Sequence, residues 1–334
     1  MDSEPLPESE KSFDSLLLGL SPDRRLLIQT HDFPDFDAIA SAYGLYCLFD
    51  TYGLSTTIVY GEEIQGFSLG ETIRTLKIPV TRIKDLPKTD DDQVILVDSC
   101  PGNKNVTLIP GTEIRAVLDH HPLPPYQLPA PYIDVRDQYG SCSTLIYEYY
   151  AGSSFQPSKT VATMLLMGIM MDTNYLTRGV GPADLAAFTG LYFKADWVSG
   201  NYLLNNSLSV KSVPIFQEGL AHMRVYKGFA FTFISKETDS DTIAVLADDY
   251  LRFHEVAFSV VAGLNQGEIK VSVRSEDPGL AASKVVRRAL YGIGFGGGHY
   301  HMGGGTVRLT DFHGPDDLYE RFRSAIDHYI HEGT

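Results

Sequence analysis

Residues 24–53 read RRLLIQTHDFPDFDAIASAYGLYCLFDTYG, and the order of their chemistry decides the fold. RRLLIQT (24–30) is short, apolar and closed by polar residues, which is the composition of a buried strand. Residues 37–53 carry apolar side chains at helical spacing and end on Gly53, a residue suited to a helix C-cap. A strand leading through a polar loop into a helix is the first half of a βαβ unit. The alternation continues with a strand at STTIVYG (55–61), a helix at SLGETIRTLKI (68–78) and strands at DQVILVDS (92–99) and EIRAVLD (113–119). APYIDV (130–135) is a fifth candidate strand. Helices are expected at 140–152, 158–173 and 182–195. This pattern predicts an α/β fold with a mostly parallel sheet.

The pattern changes after about residue 205. SVPIFQEGLAHMRVY (212–226) reads as a connecting helix. GFAFTFIS (228–235), TIAVLA (242–247), EVAFSVVAGL (255–264) and EIKVSVRS (268–275) read as strands, with helices at 280–290 and 315–330. The expected organisation is an N-terminal tail or loosely docked helix over 1–20, a parallel-sheet domain over 21–200, a linker helix over 201–225 and a smaller α+β domain over 226–334.

The chain has 334 residues, 43% hydrophobic and 21% charged, and a net charge of −15. This is the balance of a soluble globular protein, and it has no run of about 18 apolar residues that would span a membrane. No block of Lys or Arg stands out, so long duplex nucleic acid is not an expected partner. Three dispersed cysteines form neither a CxxC pair nor a disulfide framework, and the acidic N-terminus lacks the plan of a signal peptide. The simplest compartment is the cytoplasm.

In parallel α/β sheets ligands bind beyond the carboxyl ends of the strands. The segments there are THDFPDFD, VDS and LDHH. Each residue has an ordinary reading when taken alone. An Asp in HDFPDFD can cap the following helix, His31 can be a polar loop residue, Asp98 can serve a turn, and Asp119-His120-His121 can be structural. Asp172 follows an apolar helical run, where its carboxylate must leave the core, find a partner or bind a cation; it can also cap a turn. Taken together, His31, Asp35, Asp37, Asp98, His120 and Asp172 supply oxygen and imidazole donors from four segments. Such a set without thiolate suits Mn²⁺ or a related divalent ion, Mg²⁺ included. A pair of ions about 4 Å apart can activate water and clamp a phosphoryl group, and Asp98 on a central strand is the natural bridge. Residues 291–307, YGIGFGGGHYHMGGGTV, are glycine-dense. They read either as a flexible hairpin loop or as a backbone anion cradle with His299 as a donor. Arg274 reads as a phosphate contact or as an exposed strand end.

HDFPDFDAIAS, VDS, LDHHP and GIMMDT, in that order, resemble the four motifs of the DHH phosphoesterases, and GFGGGHYHMGGG resembles the GGGH signature of the DHHA1 domain. The size and two-domain plan look most like the oligoribonuclease and pAp-phosphatase branch, the nanoRNases. The resemblance implies a parallel-sheet DHH domain with helices on both faces, a smaller DHHA1 domain and a cleft between them. It implies two divalent cations, with Mn²⁺ expected: one held by His31, Asp35 and Asp98, the other by Asp37, Asp98, His120 and Asp172. It makes Asp119 a residue that orients His120 or His31, and places His121 near the scissile phosphate. Arg274, Ser275, Gly297, Gly298 and His299 would contact the substrate, and homodimerisation rests on the resemblance alone. The implied reaction is hydrolysis of short RNA, pAp or linear dinucleotides such as pGpG and pApA. The alternatives are a pyrophosphatase or exopolyphosphatase and a non-catalytic nucleotide sensor. Two departures stand out: Phe36 replaces the usual Gly of the first motif, and Met302-Gly303 replace small residues after GGGH.

Overall fold

The computed structural model describes residues 11–332 except 63, 65, 66, 88, 90, 104 and 207. The first ten residues of the tail expected over 1–20 lie outside these. The chain forms two compact units divided between Asn206 and Ser207.

In the first unit, α1 (Phe13–Leu18) precedes β1 (Leu26–Gln29), α2 (Phe36–Thr51), β2 (Thr56–Tyr60), α3 (Phe67–Leu76) and β3 (Val80–Arg82). β4 (Gln93–Val97), β5 (Glu113–Asp119) and β6 (Tyr132–Val135) follow, then α4 (Cys142–Gly152), α5 (Lys159–Asp172), α6 (Pro182–Tyr192) and α7 (Trp197–Asn205). The six strands are all parallel, in the order β3-β2-β1-β4-β5-β6. β1 and β4 are apolar because they are central and buried on both faces. The chain leaves β1 in one direction and returns through β4 in the other. The gap between their carboxyl ends is therefore the switch point where such sheets bind ligands.

One face of this sheet packs against α1–α7 through Ile28, Ile95, Val97 and Leu118. The other presents Leu27, Val94, Leu96 and Val117 to connecting segments that carry Ile83, Leu86, Val106 and Ile109. The helices expected on both faces thus gather on one, because β4–β5 and β5–β6 are joined by loops. α1 is firmly docked. Its Phe13 is 3% exposed and meets the rings of Phe49, Tyr52 and Tyr149 at 5.1–6.1 Å between centroids.

In the second unit, α8 (Val213–Ala221) leads to β7 (Arg224–Tyr226), β8 (Phe229–Glu237), α9 (Ser240–Tyr250), β9 (Phe258–Asn265) and β10 (Glu268–Ser275). α10 (Ala282–Ala289), β11 (Gly294–Gly298), β12 (Met302–Arg308) and α11 (Pro315–Glu332) complete it. The sheet order is β11-β12-β10-β9-β8-β7, antiparallel except for β8 beside β9. A parallel pair needs a crossover, and α9 supplies it. TIAVLA is therefore helical where the sequence reading expects a strand. Asp239 caps this helix, and Ile243, Leu246, Ala247 and Tyr250 bury its inner face.

The glycine-rich run is likewise ordered strand instead of a flexible loop. At Gly296 an added Cβ would stand 2.8 Å from Val286 Cγ2, and at Gly305 2.3 Å from Leu290 Cδ1. Those glycines let α10 lie on the sheet. Gly297 is different, with open space where a Cβ would go. Among the described residues no helix is long and apolar enough to cross a membrane.

Candidate metal centre

The first unit brings His31, Asp35, Asp37, Asp98, His120 and Asp172 to the carboxyl edge of its sheet. Asp35 caps α2 by accepting the Ala38 N–H at 3.0 Å, so the ordinary helix-cap reading is also true of it. Asp37 lies in the first turn of α2 and is fully buried. Its two oxygens accept the N–H groups of Cys142 and Ser143 at 2.7 and 2.9 Å. These belong to the first turn of α4, whose positive end suits a carboxylate. Asp98 follows β4 with φ +53, a left-handed backbone that costs a non-glycine residue about 1–2 kcal/mol. The turn aims its carboxylate inward, where it is 3% exposed. Asp172 ends α5, where a negative charge opposes the helix dipole unless a cation is near.

Three groups of ligand atoms arise, each within 4.8 Å: His31, Asp35 and Asp98; Asp37, His120 and Asp172; and Asp98, His120 and His121. His31 Nε2 stands 3.8 Å from Asp98 Oδ2. His120 Nε2 stands 3.5 Å from Asp98 Oδ1, 3.1 Å from Asp172 Oδ2 and 3.9 Å from Asp37 Oδ2. Asp98 thus turns one oxygen toward each half. Ligands around one Mg²⁺-sized ion at about 2.1 Å stand roughly 3–4 Å apart, which is the spacing found. The buried Asp98 Oδ1 accepts no hydrogen bond, an arrangement that a cation would satisfy. By these tests the residues fit a divalent-cation centre.

The electrostatics of the cluster agree. Burial, then the charges of Asp37, Asp35, Asp119 and Asp172, push the Asp98 carboxyl well above its usual range. Burial also raises Asp37, with His120 and Ser143 acting against the rise. Asp172 is pushed up to about 7 by burial, against the hydrogen bond to His120. For His120, burial pulls downward, but the hydrogen bond and charge of Asp172, then Asp37 and Asp119, raise it to about 10. Burial thus opposes the charged forms of Asp37, Asp98 and Asp172, with neighbouring carboxylates adding to it, and a multivalent cation would offset that cost.

Asp119 differs from the expectation that it orients His120 or His31. Its Oδ1 meets His121 Nδ1 at 2.7 Å and accepts the His121 and His120 backbone N–H groups. Burial works against the charge, but the contacts with His121 more than offset it and hold the carboxyl below the usual range. His120 Nδ1 instead faces the Tyr139 carbonyl at 3.2 Å. The sequence reading missed that carbonyl and the α4 amides, since backbone groups leave no trace in residue identity. The Ser141 cap of α4 was the available signal. Phe36 is buried in the core and fills space.

The residues expected to contact substrate lie in the second unit. Arg274 donates from Nε to Asp248 at 2.8 Å and from Nη1 to Ser272 at 2.8 Å, so it is not the exposed strand end of the ordinary reading. Ser275 is fully buried and gives its hydroxyl to the Leu280 carbonyl at 2.6 Å, a structural duty that withdraws it from solvent. Gly297 and Gly298 pair with Gly304 and Gly303. His299 begins the turn beyond them, and its carbonyl accepts the Ser283 N–H at 3.1 Å.

An open parallel sheet with an acidic, histidine-containing cluster at its switch point defines a cation-binding α/β protein joined to a second α+β unit. Residues 25–169 match the DHH family, N-terminal domain, and residues 226–332 match the DHHA1 domain. The chain thus carries a DHH-family N-terminal domain followed by a DHHA1 domain. It is 28% identical over 306 residues to an uncharacterized protein of Methanocaldococcus jannaschii, covering 91% of this chain and 62% of that one. It is 30% identical over 182 residues to a probable manganese-dependent inorganic pyrophosphatase of Streptococcus suis, covering 50% and 56%. The chain thus spans less than two thirds of the length of both. An exopolyphosphatase-related protein from Bacteroides fragilis shares the fold, with TM-score 0.73, 20% identity and coverage of 91% and 92%.

Proposed function

We propose that this protein is a metal-dependent hydrolase of phosphoester bonds in short nucleotides: RNA a few residues long, pAp, or linear dinucleotides such as pGpG and pApA. The observation that carries the reading is the placement of Asp98, with one oxygen toward His31 and the other toward His120. His31, Asp35 and Asp98 would hold one cation, and Asp37, Asp98, His120 and Asp172 the second. Mn²⁺ is favoured by the thiolate-free donor set and by the similarity to the streptococcal relative, a probable manganese-dependent pyrophosphatase, with Mg²⁺ as its competitor. When bound, the cations would supply Lewis acidity to water and to phosphoryl oxygens.

The chain's own residues do the rest. Asp119 keeps His121 Nδ1 occupied at 2.7 Å. Nε2 is then the nitrogen that would serve phosphoryl charge or the leaving oxygen. The DHHA1 match and the open approach at Gly297 support a nucleotide-gripping role for the second unit, with His299 as donor. Arg274 could join it only within the limits set by Asp248 and Ser272. The charge of −15 argues against long duplex partners.

Pyrophosphatase activity is the second reading, favoured by the streptococcal relative, whose similarity covers half of this chain. The test is a substrate panel of pAp, pApA, pGpG, a short RNA, a cyclic dinucleotide, pyrophosphate and polyphosphate, assayed with Mn²⁺, Mg²⁺ or chelator. Fast release from the linear nucleotides, abolished by chelator, is expected. Preference for pyrophosphate selects the second reading. High-affinity nucleotide binding with no turnover in any metal would make the protein a sensor.

A further inference from the structure

Asp184, in the first turn of α6, is fully buried and has no place in the chemistry above. A buried carboxylate costs several kcal/mol unless donors surround it. Here Gly140 N–H donates to both of its oxygens at 3.0 and 2.9 Å, Gly181 N–H at 2.8 Å, and the Thr144 hydroxyl at 2.5 Å. These donors come from three places: the loop before α4, the first turn of α4 itself, and the connection from α5 to α6. Each lies just behind a different residue of the centre. Next to Gly140, the Tyr139 carbonyl faces His120 Nδ1. The first turn of α4 carries the two amides that hold Asp37. The α5–α6 connection starts at Asp172 and passes through Asn174, Tyr175 and Leu176, all with positive φ. Three successive non-glycine residues in that region persist only where surrounding structure fixes them. Gly140 is wedged among these parts, since an added Cβ there would stand 2.6 Å from Thr173 Cγ2 and 3.0 Å from the Gly179 carbonyl.

We infer that Asp184 is a positioning residue for one half of the centre: it fixes Asp37, His120 and Asp172 together, and leaves His31 and Asp35 to other supports. The inference rests on the two-cation reading above. It adds that the second half has supports of its own beyond the Asp98 and α2 that both halves share, with Asp184 serving only the second. Outer partners of metal ligands typically affect affinity by 10–100-fold.

The test is Mn²⁺ titration of the full chain, followed by calorimetry and by the loss of the free-ion paramagnetic resonance signal. In the wild type two ions should bind. In Asp184→Asn an amide replaces an acceptor of several N–H groups. One ion should keep its affinity within about threefold and the other should weaken by about 10–100-fold. A role in general stability alone would weaken both ions alike or neither, and either result overturns the inference. If Asp184→Asn does not fold, Thr144→Val removes a single donor and should show the same one-sided loss at smaller size. A symmetric effect in that variant overturns the inference equally. Failure of the underlying reading looks different: the wild type itself would bind fewer than two ions, or His120→Ala would leave both bound.

Discussion

Gly168 in the interior of α5 offers a prediction whose sign is informative. At an open helical position Gly→Ala stabilises by about 1 kcal/mol. Here the added Cβ would stand 2.2 Å from Ser143 Oγ, 2.8 Å from Asp37 Oδ1 and 3.2 Å from Ala40 Cβ. Ser143 can swing its hydroxyl away. Asp37 cannot, because both oxygens are held by the α4 amides. Overpacking costs about 1–3 kcal/mol, and a strained hydrogen bond to a charged group about 1.5–3. The two costs describe one contact, so the larger, about 3 kcal/mol, less the propensity gain of about 1 leaves a loss of about 2 kcal/mol. For a unit of this size that lowers Tm by roughly 4–8 °C. Urea melts of the metal-free protein measure the stability, and Mn²⁺ titration should show that the ion beside Asp37 binds more weakly. Adding Ser143→Ala should recover part of the stability. If Gly168→Ala instead raises stability by about 1 kcal/mol with unchanged Mn²⁺ binding, the packing of α2, α4 and α5 around Asp37 is wrong as described.

Asp98→Asn should abolish turnover and weaken at least one cation, while the metal-free protein melts no lower than wild type because a buried, crowded charge has been removed; near-normal activity would refute the bridge. Asp172 and His120 both bind protons more tightly folded than unfolded, so the metal-free protein should lose stability as pH rises from 3.8 through about 7 and on toward about 10. Cation binding displaces those protons, so Mn²⁺ affinity should rise over the same range. Calorimetry in buffers of different ionisation heat should register proton release, and a pH-independent affinity with none released contradicts the assignment. Phe13→Ala should cost about 3–5 kcal/mol in urea melts, whereas a loss under about 1 kcal/mol would mean that α1 is loosely docked.

Most of the first unit was legible because parallel central strands are apolar runs and the intervening helices carry their own caps. β3 was missed since Val80–Arg82 is too short for periodicity to show, and α7 since Trp197–Asn205 mixes polar and apolar residues without a clear face. TIAVLA misled because Thr, Ile and Val favour strands, and the demand for a crossover between β8 and β9 overrode that preference. The donors of the metal centre were legible as residue types at strand ends. What holds them was not, because carbonyls, amides and Asp184 act through tertiary contacts between distant segments. The glycine run shows the converse limit: its composition could not separate the glycines that admit α10 from Gly297, which stands open.

The most direct test of the central claim is anomalous scattering from crystals soaked in Mn²⁺. Two peaks about 4 Å apart, one beside His31 and Asp35, the other beside Asp37, His120 and Asp172, with Asp98 between them, are expected. A single peak elsewhere, or no density within reach of Asp98, would contradict the account.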